Sequence, residues 1–198
     1  MVPLCDKRVL RALATWSGAI AGLLLILAGG LVSAAIPFPT DAGWTLRPLG
    51  VTLQVPALLL TALVGGHRTA LLAALAYLSM GLFQMPVFHE GGGLGYFLDP
   101  GFGYLAGFVP AAWLSGKLAR QNGMDGPVAL TGAAILGLLV MQLCGLVNLL
   151  LGGLAGRWGA STGPLIVGYS LAIFPQLLLC CAIGLLAWGL RRLLLVST

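Results

Sequence analysis

The residues that could do chemistry in this chain are few, and none is spaced for catalysis. His89-Glu90 opens a string of the zinc-protease kind, but the place where a second histidine must stand is Gly93. The other histidine, His67, sits beside Arg68 in a short turn. Ser115 follows Trp113-Leu114 and so lacks the glycine two residues earlier that a nucleophile elbow requires. Cys5, Cys144, Cys180 and Cys181 form no CxxC or Cys/His spacing and are expected to be plain buried thiols. No GxxxxGK[ST] string cradles a nucleotide. No Asp or Glu lies deep in an apolar run, so the carboxylate relay of proton-driven carriers is missing its usual residue. These absences point away from an enzyme, and no metal or cofactor is expected.

What remains is a set of neutral polar groups inside apolar runs: Gln54, Gln142, Asn148 and Gln176, with Tyr77 and Tyr169. An amide in a bilayer is costly unless paired, because no water satisfies it. Each one alone fits a helix-to-helix hydrogen bond. Several near the outer ends of their runs favour, as a set, a pocket for a small molecule with a neutral polar core. The stretch MPVFHEGGGLGYFLDPGFGYLAGF, Met85 to Phe108, adds glycines, acids and aromatics in a fixed pattern. A flexible linker has no need of such a pattern.

The elements that must position these groups are membrane helices. The chain is 59% hydrophobic and 8% charged with a mean hydropathy of +1.03, far from the roughly 25% charged residues of soluble domains. Its 198 residues fit a single transmembrane domain, 1–198, of six spans. The apolar segments run from Ala12 to Ile36, Val51 to Val64, Thr69 to Met85, Phe102 to Leu118, Pro127 to Leu154 and Leu165 to Leu190. The first imitates a secretory signal, but its apolar stretch is about twice the usual 7 to 15 residues, so a retained helix is expected. With the N-terminus inside, Lys7, Arg8, Arg11, Arg68, Lys117, Arg120, Arg191 and Arg192 fall on the inner side, against Arg47 and Arg157 outside. That asymmetry orients a multi-pass protein of the cytoplasmic membrane with both termini cytoplasmic. The connections Pro37 to Gly50 and Pro86 to Gly101 then face outward with Asp41, Glu90 and Asp99. The net charge of +5 is a topology signal in lipid and does not indicate a nucleic-acid partner. Ala14, Gly18 and Gly22 line one face of the first helix, where a second helix could approach closely, either within the bundle or from a partner.

The loop strongly resembles the signature of the BioY family, the biotin-capturing S component of energy-coupling factor (ECF) transporters. Pro86-Val87-Phe88, Gly91 to Gly93 and Pro100 through Phe108 carry the likeness. Upstream, Val51-Thr52-Leu53-Gln54 resembles the family's opening of the second helix, and Gly65 to Gly81 its following turn and third helix. The likeness covers roughly Arg47 to Ala112. It implies an all-α membrane protein, six transmembrane helices in an S-component-like bundle. Such a protein captures biotin and works with a coupling transmembrane subunit and cytoplasmic ATPases, with membrane lipid around it. Alternatives are an S component for another vitamin, or a non-transporting membrane assembly protein.

The sequence departs from the family pattern at Asp99, where glycine is common, and at Gly101-Phe102, where Thr-Gly is usual. In the last helix Gln176 and Leu179 stand where an Asp and a Lys often occur. Biotin's chemistry still fits the residues present. Phe88, Tyr96, Tyr104 and Tyr169 are expected to build a slot for the bicycle, with Gly91, Gly92 and Gly93 letting backbone approach it. Gln176 is the candidate for the ureido group, with Asn148, Gln142 or the loop backbone as alternatives, and Gln54 and Asp99 are further candidates at the biotin site. Arg157 is the candidate for the carboxylate, and Ala14, Gly18 and Gly22 for docking the coupling subunit.

Overall fold

The computed structural model describes residues 7–40, 43–83, 87–88 and 91–194. Helix α1 (Lys7–Leu31) leads into an antiparallel hairpin of β1 (Ser33–Thr40) and β2 (Gly43–Thr52). Helices α2 (Gln54–Gly65) and α3 (His67–Phe83) follow, then a 3-10 turn (Leu94–Leu98) and helices α4 (Phe102–Ala106) and α5 (Phe108–Leu118). The chain closes with α6 (Pro127–Leu154), a second 3-10 turn (Gly159–Ser161), α7 (Thr162–Leu171) and α8 (Ile173–Leu193). Counting α4–α5 and α7–α8 as one segment each gives the six expected helical segments. The stretches Arg8–Leu31, Pro127–Leu154 and Gly159–Leu193 are long and apolar enough to cross a membrane, whereas α2 has only 12 residues, about 18 Å.

The hairpin is the main departure from the sequence expectation, which left Pro37 to Gly50 as a plain connection and carried the first apolar run to Ile36. Pro37, Pro39 and Pro48 lack an N–H and fix φ, so helix cannot continue through them. A two-stranded ribbon tolerates them because every strand in it has a free edge. Leu53 N–H donates to Val32 carbonyl oxygen at 3.0 Å and closes the hairpin's base.

Two segments break for the same reason. Pro110 is the third residue of α5 and cannot donate to Ala106, so α4 and α5 part at Gly107. Pro175 is the third residue of α8 and cannot donate to Leu171, so α7 and α8 part at Ala172.

The short α2 is the centre of the bundle. Val55, Leu58, Leu59, Ala62 and Leu63 are buried on several sides of it, as expected of a helix enclosed by others. Its neighbours meet it through small residues, including Ala70, Ala73 and Ala74 on α3 and Ala133 and Ala134 on α6. Large apolar side chains such as Leu13, Trp16, Ile20 and Leu24 on α1 point outward, which suits a hydrocarbon solvent. Cys180 is buried, Cys144 is half-buried and Cys181 is exposed on α8, so the sequence expectation of buried thiols does not hold for Cys181.

Gly18 and Gly22 of the row on α1 face the bundle, the within-bundle alternative of the sequence reading. A Cβ on Gly18 would lie 2.9 Å from Thr69 Cγ2, and one on Gly22 would overlap Thr61 Cγ2. The close approach is made to α2 and α3 of the same chain, and only Ala14 of the three is exposed.

At the end of the bundle that holds the α2–α3 and α5–α6 connections, Arg120 Nη2 donates to Val64 carbonyl oxygen and Arg191 Nη1 to Met124 carbonyl oxygen, each at 3.1 Å. Val64 lies in the last turn of α2, where the helix dipole favours a cation.

Candidate ligand-binding site

Residues of β2, α2, α4, α5, α6, α7 and α8, with Tyr96 of the first 3-10 turn, surround a cavity of about 240 Å³. Leu105, Phe108 and Met141 give it an apolar floor, and Gly50, Val51 and Thr52 of β2 contribute one side. Leu105 and Phe108 follow each other by one turn across the α4–α5 break. Tyr169, Ala172 and Gln176 align the same way across the α7–α8 break.

Tyr104 and Tyr169 stack face to face, with ring centroids 4.9 Å apart and planes 14° from parallel. Tyr104 can lie there because its ring occupies the space a Cβ on Gly145 would need. Tyr96 enters from the loop, backed by Phe88, whose centroid is 4.7 Å away.

Three polar features face this aromatic enclosure. Gln142 Nε2 donates to Gln176 Oε1 at 3.2 Å, joining α6 to α8. That bond uses one donor and one acceptor of the pair and leaves a carbonyl oxygen and an amino group for a guest. The Tyr104 hydroxyl is buried without a hydrogen-bond partner among the described residues. Such a group is rare in native proteins, and Tyr104 is one of the residues that line the cavity. Gln54 Nε2 donates to the Tyr77 hydroxyl at 2.7 Å, and Tyr77 donates to Val87 carbonyl oxygen at 3.1 Å. This relay ties a cavity residue to the outer loop.

Of the residues expected at the site, Gln54, Tyr96, Tyr104, Tyr169 and Gln176 line the cavity together. Phe88 does not line it. It is buried behind Tyr96, edge-on to Tyr77 at 5.5 Å, so it supports the wall. Gly91 and Gly93 do not line it either. Gly91 exchanges backbone hydrogen bonds with Phe88, and Gly93 N–H donates to Gly81 carbonyl oxygen at 2.8 Å. Their φ values of 128° and 92° are ones that only glycine adopts without strain. Gly92 between them is exposed.

Asp99 Oδ1 accepts the Gly101 N–H at 2.7 Å and shapes the turn into α4. Asn148 Nδ2 donates to Pro100 carbonyl oxygen at 3.2 Å, fastening that same turn to α6 and leaving its amide outside the lining. Arg157 stands over the ring of its neighbour Trp158 at 5.1 Å and is exposed. The structure thus does not bring it to the cavity. His89, Glu90 and Pro86 lie outside the described residues, as does Asp41. Leu105, Phe108, Met141 and β2 complete the site beyond the candidate residues, and Gln142, noted in the sequence only as an amide in an apolar run, joins them. Spacing of one helical turn from Tyr104 was the signal for Phe108.

A cavity with aromatic walls and an amide pair, set in a helical bundle whose surface suits lipid, is the architecture of a helical membrane protein. A family model described as the BioY family matches residues 8–195, and the chain belongs to that family. It is 37% identical over 128 residues to a biotin transporter BioY of Rhodobacter capsulatus, a match covering 63% of each chain. It is 36% identical over 90 residues to a probable biotin transporter BioY of Lysinibacillus sphaericus, covering 46% of each. These matches span about half to two thirds of the relatives' lengths. A solved structure titled the S-component for biotin from an ECF-type ABC transporter superposes with a TM-score of 0.71 at 15% identity, over 96% of this chain and 95% of that one. That likeness is one of fold.

Proposed function

We propose that this chain captures biotin from the outer side of the cytoplasmic membrane and serves as the S component of an ECF-type transporter. The observation that carries the reading is the pairing of stacked tyrosines with an amide couple in one small cavity. Biotin's fused bicycle is a compact apolar body that suits the Tyr104–Tyr169 wall and the Phe108–Met141 floor. Its ureido group offers N–H donors and a carbonyl acceptor, the complement of what Gln142 and Gln176 leave free. The Tyr104 hydroxyl supplies a further contact.

Uptake draws on partners, because no nucleotide-binding string is present in the sequence. A coupling subunit and cytoplasmic ATPases fill that role, and the excess of basic residues in the connections on one side supports a topology with both termini on their side. The role is transport and not catalysis. The test is direct. The chain, expressed alone and purified in detergent, should retain biotin in a one-to-one ratio, measured by mass spectrometry of the extract and by tracer titration. Retention of a different vitamin, or of none, defeats the reading.

A further inference from the structure

Tyr77 of α3 is fully buried and does not line the cavity, yet its hydroxyl holds one cavity residue and its ring packs on another. The hydroxyl is engaged on both sides, with Gln54 Nε2 at 2.7 Å and the Val87 carbonyl oxygen at 3.1 Å. A carbonyl only accepts, so the single Tyr77 proton goes to Val87 and the hydroxyl oxygen accepts an N–H of Gln54. That order fixes which end of the Gln54 amide is its nitrogen, a choice that the shape of an amide leaves open.

The ring makes a second set of contacts. It stacks on Phe108, with centroids 6.0 Å apart and planes 24° from parallel, and stands edge-on to Phe88 at 5.5 Å. Phe88 in turn backs Tyr96, and its ring occupies the space that a Cβ on Gly81 would need, one turn along α3 from Tyr77. The Gly81 carbonyl oxygen accepts the Gly93 N–H at 2.8 Å. One turn of α3 thus touches Gln54 of α2 and Phe108 of α5 directly and reaches Tyr96 through Phe88. All three line the cavity.

We infer that Tyr77 is a positioning residue for the guest: without touching the ligand, its hydroxyl sets how long the ligand stays by holding Gln54 and the Val87 segment in one geometry. The inference rests on the biotin reading. A wall ordered before the guest arrives spares the cost of ordering it at binding, and loss of that order is felt mainly in the rate of departure.

Tyr77→Phe tests this, because it keeps the ring contacts with Phe108 and Phe88 and deletes only the hydroxyl. Labelled biotin is bound to the full chain in detergent and chased with unlabelled biotin. The dissociation rate is read from the bound molecules alone, so a loss of folded protein does not alter it. The rate should rise about two- to thirteenfold, the scale of one hydrogen bond, with association unchanged within about twofold. Gln54→Leu and the double variant complete a cycle. Together the two substitutions should raise the rate by less than the product of their separate effects, because they remove the same bond. Gln54→Asn withdraws the amide from Tyr77 by one methylene and should raise the rate over the same range, which serves if Tyr77→Phe fails to accumulate. Wild-type dissociation from either the Tyr77→Phe or the Gln54→Asn chain overturns the inference while leaving biotin capture standing. So do effects of Tyr77→Phe and Gln54→Leu that simply multiply. A wild-type chain that binds no biotin removes the biotin reading and the inference with it.

Discussion

Tyr104→Phe removes one oxygen and keeps the ring, so it separates the binding role of that hydroxyl from its structural one. Among the described residues the hydroxyl is buried without a hydrogen-bond partner, and leaving such a group without a hydrogen bond costs about 1–3 kcal/mol. Its deletion should therefore stabilise the empty protein by part of that amount, or about 2–4 °C in melting temperature for each kcal/mol at this chain length. The stack with Tyr169 and the seat over Gly145 involve ring atoms only and should persist. With biotin bound, the same deletion removes a hydrogen bond worth about 0.5–1.5 kcal/mol net, a loss of about two- to thirteenfold in affinity. Thermal unfolding of both proteins in detergent, without ligand and at saturation, alongside tracer titration, reads both quantities. The expected signature is opposed: higher stability when empty, weaker binding, and a smaller ligand-induced rise in melting temperature. A variant that melts lower when empty shows that the hydroxyl has a protein partner. One that binds biotin at wild-type strength shows that the ligand does not reach Tyr104. Either result refutes the assignment.

Gly22→Leu should lower the melting temperature of the isolated chain, or prevent its accumulation, because the new side chain must displace Thr61, and overpacking of this kind typically costs about 1–3 kcal/mol. Normal stability with lost uptake would return this glycine to a partner interface. Gln176→Leu should weaken biotin about two- to thirteenfold through the lost amide couple, measured by the same titration, and an unchanged constant would move the ureido contact elsewhere. Gln54→Leu breaks the relay through Tyr77 to Val87, so hydrogen exchange in residues 91–101 should quicken in the empty protein; adding biotin to the wild type should slow it. Arg157→Gln should leave biotin affinity within about twofold, since this arginine stands over Trp158 outside the cavity; a selective loss of acid binding would restore it to the site.

The helices were legible in the sequence because lipid demands long uninterrupted apolar runs, and the run from Pro127 to Leu154 coincides with α6. The breaks at Gly107 and Ala172 and the hairpin were written in prolines, yet a hydropathy reading passes over them, since Pro110 and Pro175 sit inside apolar runs. The tyrosines and glutamines were found because polar groups are conspicuous in such runs. Asn148 carries the same signal and serves the framework instead. Sequence cannot tell a polar group that satisfies backbone, as Asn148 does at Pro100, from one left for a guest. That distinction depends on which carbonyl happens to lie within reach after folding. The row on α1 was ambiguous for a related reason, as small residues promise a close neighbour without saying whose.

The two proline-caused breaks have a kinetic consequence. Tyr104 belongs to α4 and Tyr169 to α7, so each ring rides on a short helix set off from its long one by a single residue. The face-to-face contact between them joins two independently hinged pieces. An aromatic pair contributes about 0.5–1.5 kcal/mol beyond its buried area. If that contact is the main latch, thermal motion parts the rings in roughly one molecule in three to one in thirteen at any instant. A latch of that strength lets the vestibule breathe on its own, with the long helices standing still and no energy source engaged. On the proposed biotin reading, capture from dilute solution then needs only the solitary chain.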